Sequence, residues 1–174
     1  LSSTKFSYYL MLVLVLPIFM VARPLLQLWL GQIPPYSVPF LQLILVTSLF
    51  QVFDSSFYTA LYAKGRIREN AMLSPTTAFL CFPIIYMLFK FGYSPMACAW
   101  VMLCDYAILG LIIKPFLIVR IADYTWKEIF SVFIPCLKVT LLSVPIPITF
   151  YIFRNQWFPN NIVQFLVLTG IGVF

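Results

Sequence analysis

The fold is decided by residues 37–63, SVPFLQLILVTSLFQVFDSSFYTALYA, a mostly apolar stretch whose one charged residue is Asp54. A helix that crosses a bilayer needs about 20 mostly apolar residues. This stretch is therefore long enough to span a membrane, and further apolar stretches lie on both sides of it. The sequence predicts an all-α fold, a polytopic transmembrane helix bundle of about six spans.

The composition agrees with this fold class. Of the 174 residues, 63% are hydrophobic and 9% are charged, with a mean hydropathy of +1.00. A soluble domain has about a quarter of its residues charged. The composition therefore excludes a nucleic-acid-binding domain, a secreted disulfide scaffold and any sizeable extramembrane domain, and it makes the lipid bilayer the first partner of the chain.

Metal and redox sites are not expected. The chain has no histidine, which is the commonest metal ligand and the usual proton shuttle near neutral pH. Its four cysteines fall in apolar stretches without CxxC spacing and are interpreted as small apolar residues. We predict neither a metal site nor a cofactor.

Six spans are predicted along the chain. They cover residues 6–22, 37–63, 71–89, 96–113, 139–153 and 162–174, and the last is incomplete. Residues 25–35 form an interfacial segment, and the capping-box pattern Thr125-Trp126-Lys127-Glu128 predicts the start of a surface helix. Because the chain begins without methionine and ends within an apolar run, we expect it to be a piece of a larger protein.

The orientation follows from the basic residues, which are more frequent in cytoplasmic loops. Alternate loops carry eight and three Lys or Arg residues. The eight are Lys5, Lys64, Arg66, Arg68, Lys114, Arg120, Lys127 and Lys138, and the three are Arg23, Lys90 and Arg154. The start of the chain is therefore predicted to be cytoplasmic. This asymmetry also accounts for much of the net charge of +6 without an anionic ligand.

One polar face stands out on the second span. It is called the polar stripe here and consists of Thr47, Gln51, Asp54, Ser55, Tyr58 and Tyr62. At the α-helical rotation of about 100° per residue, these side chains share a face about 100° wide. Such a stripe inside a membrane lines either a water-filled cavity or a hydrogen-bonded contact between helices. Both interpretations remain open for the stripe, and for Asp54 the cavity is slightly favoured.

Two other charged residues lie at the spans. Asp105 falls near the middle of the fourth span among apolar neighbours, so we expect it to be protonated or to pair with a cation from another span. Lys114 follows that span directly, and we expect its side chain to extend towards the membrane surface. For both residues a structural role is favoured over a ligand role.

Catalytic motifs are absent from the sequence. It contains no glycine-rich phosphate loop, no GxSxG motif, no HExxH motif and no carboxylate pair with catalytic spacing. We therefore predict that the protein is not an enzyme.

Several short segments follow one another in a characteristic order. They are KFSYYL at residues 5–10, LWLG at 28–31 followed by Pro34, Pro35 and Tyr36, AKGRI at 63–67 after Asp54, and FGYSP at 91–95. In this order they resemble the C-terminal part of bacterial lipopolysaccharide or polysaccharide biosynthesis flippases, such as the O-antigen flippases. These flippases belong to the multidrug/oligosaccharidyl-lipid/polysaccharide exporter superfamily. The resemblance covers approximately residues 5–120.

The resemblance implies a two-lobed transporter of about 12–14 helices in the bacterial cytoplasmic (inner) membrane, with the substrate cavity between the lobes. Its substrate would be an undecaprenyl-diphosphate-linked oligosaccharide, and the N-terminal lobe would lie outside this chain. An alternative is a cation-coupled multidrug exporter of the same superfamily, in which Asp54 binds Na⁺ or H⁺. Another is a membrane scaffold subunit without transport, in which the polar stripe is buried against a partner.

Overall fold

The computed structural model of the protein describes residues 2–65, 67–121 and 124–145. Of these residues 88% are helical and none lies in a strand, so this part of the chain is all-α, as predicted. The helices are α1 (Ser2–Met20), α2 (Ala22–Leu30), α3 (Ser37–Ala63), α4 (Ile67–Lys90), α5 (Met96–Ile108), α6 (Lys114–Ile121) and α7 (Trp126–Ser143). A π-helical turn, Leu109–Ile113, joins α5 to α6.

Four helical segments among the described residues are long and apolar enough to cross a membrane. They are Ser3–Met20, Ser37–Ala63, Ala71–Lys90 and Met96–Ile121. These four helices fit a membrane protein. Of the predicted fifth span, residues 146–153 lie outside the described residues, and so does the whole sixth span.

The first predicted span and the interfacial segment form two helices. α1 ends at Met20, and α2 follows after the single residue Val21. α2 ends at Gly31, whose φ of 71° is a left-handed conformation that glycine adopts without steric cost. The side chains of Leu28 and Trp29 on α2 are exposed, which suits a segment at the membrane interface.

The fourth predicted span continues beyond its expected end. The span was predicted to end at residue 113, whereas the helix runs on to Ile121. The Lys114 N–H donates to the Leu109 carbonyl, five residues earlier, as in a π turn. Proline has no N–H and its ring crowds the carbonyl four residues earlier, which here is that of Leu111. The wider π turn is where the helix accommodates Pro115.

The helix predicted from Thr125 is longer than expected. Its first turn is closed by the Thr125 N–H, which donates to Glu128 Oε2 at 2.8 Å. α7 then continues without interruption to Ser143 and includes Pro135. The predicted surface helix and the first residues of the predicted fifth span, which starts at Val139, are therefore one helix.

α3 is the central helix of the described bundle and packs against α1, α2, α4, α5 and α6. Its buried residues Phe53, Phe57 and Leu61 lie in a core with Tyr8, Ile118, Ile129, Val132 and Cys136. Aromatic rings dominate this core. The ring of Phe53 stacks on that of Tyr8 with centroids 4.9 Å apart and meets that of Phe133 edge to face at 5.0 Å. α3 thus presents one face to the core, and the polar stripe lies on a neighbouring face.

Candidate functional site

An ion pair joins α3 to α6. The Lys114 Nζ lies 2.6 Å from Asp54 Oδ1, and it also donates to the Asp54 backbone carbonyl at 3.5 Å. The Lys114 side chain is 1% exposed and that of Asp54 is 17% exposed. Within the described residues this is the one ion pair between side chains.

The pair lies well inside the two spans that carry it. The midpoint of α3 is residue 50, so Asp54 is about 6 Å along the helix axis from the centre at 1.5 Å per residue. Lys114 has seven further helical residues after it before α6 ends at Ile121. A charged group at such depth is costly unless it faces protein or water, and each partner here supplies the opposite charge for the other.

An aromatic ring from the polar stripe completes the surroundings of the lysine. Lys114 Nζ lies 5.6 Å from the centroid of the Tyr58 ring, within the range of a cation–π contact. The Tyr58 ring in turn lies 5.2 Å from that of Tyr62, one turn further along α3. The ammonium therefore sits between the buried core face of α3 and the polar stripe.

The predicted stripe residues have different partners. Asp54 binds Lys114, and the Gln51 amide donates to the Tyr106 hydroxyl of α5 at 3.4 Å. Thr47 and Ser55 donate to backbone carbonyls of α3 itself, those of Leu43 and Val52, at 2.8 and 3.1 Å. The side chains of Gln51, Ser55, Tyr58 and Tyr62 are exposed. Among the described residues, nothing covers this part of the polar stripe.

Lys114 is the site residue that the sequence analysis misjudged. It was expected to extend towards the membrane surface, but its side chain is fully buried and points to Asp54. A sequence signal did exist: Asp54 and Lys114 are opposite charges, one within a span and one directly after a span. The sequence analysis sought a cation for Asp105, whereas the structure gives the cation to Asp54.

Asp105 lies at a separate place, in a groove between α4 and α5. Thr77 and Cys81 of α4 line the same groove. The groove has a volume of about 570 Å³, and its lining is mostly apolar and includes Trp100 and Tyr93. In the part of the chain that the structure describes, no basic side chain forms an ion pair with Asp105.

Two further cavities lie beside the aromatic core. They have volumes of about 460 and 290 Å³, and both are lined by Tyr8, Phe50, Phe53, Thr140 and Val144 together with other apolar residues. A hydrogen bond between the Tyr8 and Thr140 hydroxyls, 2.8 Å long, crosses this region from α1 to α7. No charged residue lines these cavities, and the two hydroxyls that do are hydrogen-bonded to each other.

The described residues contain no group of three or more His, Cys, Asp or Glu side chains that could hold a metal ion. The site consists of a buried ammonium, a carboxylate at the boundary of an uncovered polar stripe, and two tyrosine rings. No family model, no curated protein and no solved structure matches this chain.

Proposed function

We propose that the chain is part of a flippase of the bacterial cytoplasmic membrane. Its substrate is an undecaprenyl-diphosphate-linked oligosaccharide, which it moves from the inner to the outer leaflet for surface polysaccharide synthesis. It does so by alternating access between two lobes, without covalent chemistry. The observation that carries this proposal is the buried Lys114 ammonium beside the uncovered polar stripe.

A diphosphate that crosses a bilayer needs a cation inside the membrane. An unpaired charge at the bilayer centre costs about 2.5–3.5 kcal/mol even on the lenient insertion scale. Asp54 neutralises Lys114 while no substrate is bound, which lowers the free-energy cost of keeping this cation inside the membrane. When the diphosphate takes the place of the Asp54 carboxylate, Lys114 remains paired throughout.

The polar stripe suits the oligosaccharide part of such a substrate. Gln51, Ser55 and the hydroxyls of Tyr58 and Tyr62 provide hydrogen-bonding groups along about three turns of α3. The tyrosine rings provide flat surfaces against which sugar rings pack. The polyprenyl chain stays in lipid, where the exposed apolar side chains of α4 offer a matching surface.

A cation-coupled exporter of the same superfamily is the second candidate, and the observation that favours it is Asp105. This carboxylate has no ion-pair partner among the described residues and lies in a mostly apolar groove with Trp100. A carboxylate without a counter-charge inside a membrane span is a candidate site for a coupling cation. In the first alternative of the sequence analysis Asp54 had this role, but Asp54 is already paired with Lys114.

The deciding experiment measures the leaflet distribution of lipid-linked oligosaccharides in a strain that lacks the parent gene. The strain is complemented with the intact gene or with variants Lys114→Met, Lys114→Arg and Lys138→Met. Lys138 is exposed on α7 and is the matched control for loss of one lysine. We expect Lys114→Met to leave the oligosaccharide in the inner leaflet, Lys114→Arg to restore part of the transport, and Lys138→Met to behave as the intact protein.

Two results would contradict the flippase proposal. A normal leaflet distribution in the deletion strain would exclude it, and increased drug sensitivity of that strain would favour the exporter. Full transport by Lys114→Met would remove Lys114 from the mechanism.

A further inference from the structure

A single π turn precedes the buried lysine. It covers Leu109–Ile113 within an otherwise α-helical span, and Lys114 is the first residue after it. A π turn holds one residue more than an α turn, and such turns are frequent at functional sites. Pro115, directly after the lysine, explains why the helix widens here, but not what the extra residue achieves.

The directions of the buried side chains show how the π turn compensates for the extra residue. Ala99 of α5 and Ile118 of α6 are both buried, at 3% and 0% exposure, and they are 19 residues apart. At about 100° per residue, 19 residues of regular α-helix give five turns plus about 100°, so these two side chains would point to different sides. One extra residue in a π turn absorbs about 100° and returns them to one face.

The same turn brings the backbone of this span close to that of α3. A Cβ placed on Gly110 would lie 3.0 Å from the Phe50 carbonyl oxygen, 3.5 Å from Phe53 Cβ and 3.6 Å from the Asp54 nitrogen. The first contact is with backbone, which cannot move aside as a flexible side chain can. Gly110 therefore fixes a short distance between the two helices one turn before Lys114 and at the level of Asp54.

We infer that Gly110 and the π turn Leu109–Ile113 are a positioning device that aims the Lys114 ammonium at Asp54. The turn sets the rotation of α6, and Gly110 sets its distance from α3. The inference rests on the proposed function only for the use of Lys114 in transport. Gly110 is a positioning residue, since it acts through Lys114 and not on the substrate.

The test compares a deletion with an insertion in the π turn, because the two changes should rotate α6 by different amounts. Both variants carry Pro115→Ala, because a proline at this position needs the wider turn. Deleting Leu111, whose side chain is exposed, then removes the extra residue and leaves a regular α-helix with Lys114 and Ile118 on their present face. Inserting one alanine after Leu111 adds a second extra residue and rotates α6 by about 100°. In an ordinary helix, deletion and insertion rotate the following residues by equal amounts.

The readout is the interaction between positions 54 and 114 in the purified intact protein without substrate. The shifts in thermal midpoint caused by Asp54→Asn, Lys114→Met and the double variant are measured in each background. We expect the shifts to be non-additive in the parent and in the Leu111 deletion, and additive in the insertion. Additive shifts in the Leu111 deletion, or non-additive shifts in the insertion, would overturn the inference.

A milder pair of variants keeps the inference testable if the insertion does not fold. Gly110→Ala introduces the 3.0 Å contact and should reduce the non-additivity between positions 54 and 114, whereas Leu111→Ala changes an exposed neighbour and should leave it unchanged. Equal effects of the two alanine variants would contradict the role of Gly110. Because no substrate is present, this result is independent of whether the protein is a flippase, which the leaflet assay decides.

Discussion

Replacing Asp54 with asparagine should destabilise the folded protein by about 3–5 kcal/mol, because the variant leaves a buried ammonium without its counter-charge. With Lys114 Nζ 2.6 Å from Asp54 Oδ1, the attraction between unit charges is about 6 kcal/mol at an effective dielectric constant of 20. Part of this offsets the desolvation of Lys114, whose side chain is 1% exposed. Asparagine has nearly the same size as aspartate, so the loss of stability measures the missing charge interaction and not a change in packing.

The opposite variant, Lys114→Met, should cost less than Asp54→Asn. The Asp54 side chain is 17% exposed, so its carboxylate stays partly hydrated once the lysine is absent. The double variant Asp54→Asn/Lys114→Met contains no buried charge, and its stability should lie close to that of the parent, because a buried ion pair replaced as a whole is often neutral. The expected order of stability is parent and double variant, then Lys114→Met, then Asp54→Asn.

The assay is equilibrium unfolding of the purified intact protein in mixed micelles, with sodium dodecyl sulfate as the denaturant. The four proteins form a double-mutant cycle, and the expected interaction energy is at least about 3–5 kcal/mol, the loss expected for Asp54→Asn alone, because the double variant should lie close to the parent. Lys138→Met is the control, since it removes an exposed lysine from the same bundle. The reasoning is refuted if the two single changes are additive, or if Asp54→Asn is no less stable than Lys138→Met.

Three further predictions concern the core and the stripe. Phe57→Ala should lower the free energy of unfolding by about 3–5 kcal/mol, since the ring is 0% exposed, whereas Phe79→Ala, at a side chain 77% exposed, should change it by much less. If the polar stripe lines a wet cavity, Tyr58→Cys in a cysteine-free background should react with a membrane-impermeant thiol reagent, and the adjacent Phe57→Cys should not. Tyr8→Phe should lose about 1 kcal/mol in the same unfolding assay because it removes the 2.8 Å hydrogen bond to Thr140, and combination with Thr140→Val should cost little more.

Each of these has an outcome that contradicts it. Equal losses for Phe57→Ala and Phe79→Ala would show that the aromatic core does not stabilise the bundle. Protection of Tyr58→Cys in every transport state would favour a buried contact between helices over a cavity. Additive losses for the changes at Tyr8 and Thr140 would show that their hydroxyls do not interact.

The polar stripe illustrates how far sequence reasoning reaches into the site. The spacing of its six residues follows from the helical repeat alone, and residues 37–63, predicted as a span, form a single helix in the structure. The spacing could not decide whether the stripe lines a water-filled cavity or forms a hydrogen-bonded contact between helices, because both place polar groups on one face. In the structure Asp54 is paired with Lys114, whereas Tyr58 and Tyr62 are exposed, so one part of the stripe forms a contact between helices and another part is uncovered by the described residues.

By itself, the sequence indicated an all-α membrane protein. The length and composition of each apolar segment are local properties, so they can be assessed without knowing which helices lie beside it. The sequence also determined which face of α3 is polar. Only the tertiary structure decided the partner of Lys114, which lies 60 residues from Asp54 in the chain. That pairing depends on how one helix is rotated against another, and a single π turn changes the rotation by about 100° without changing the hydropathy of the span.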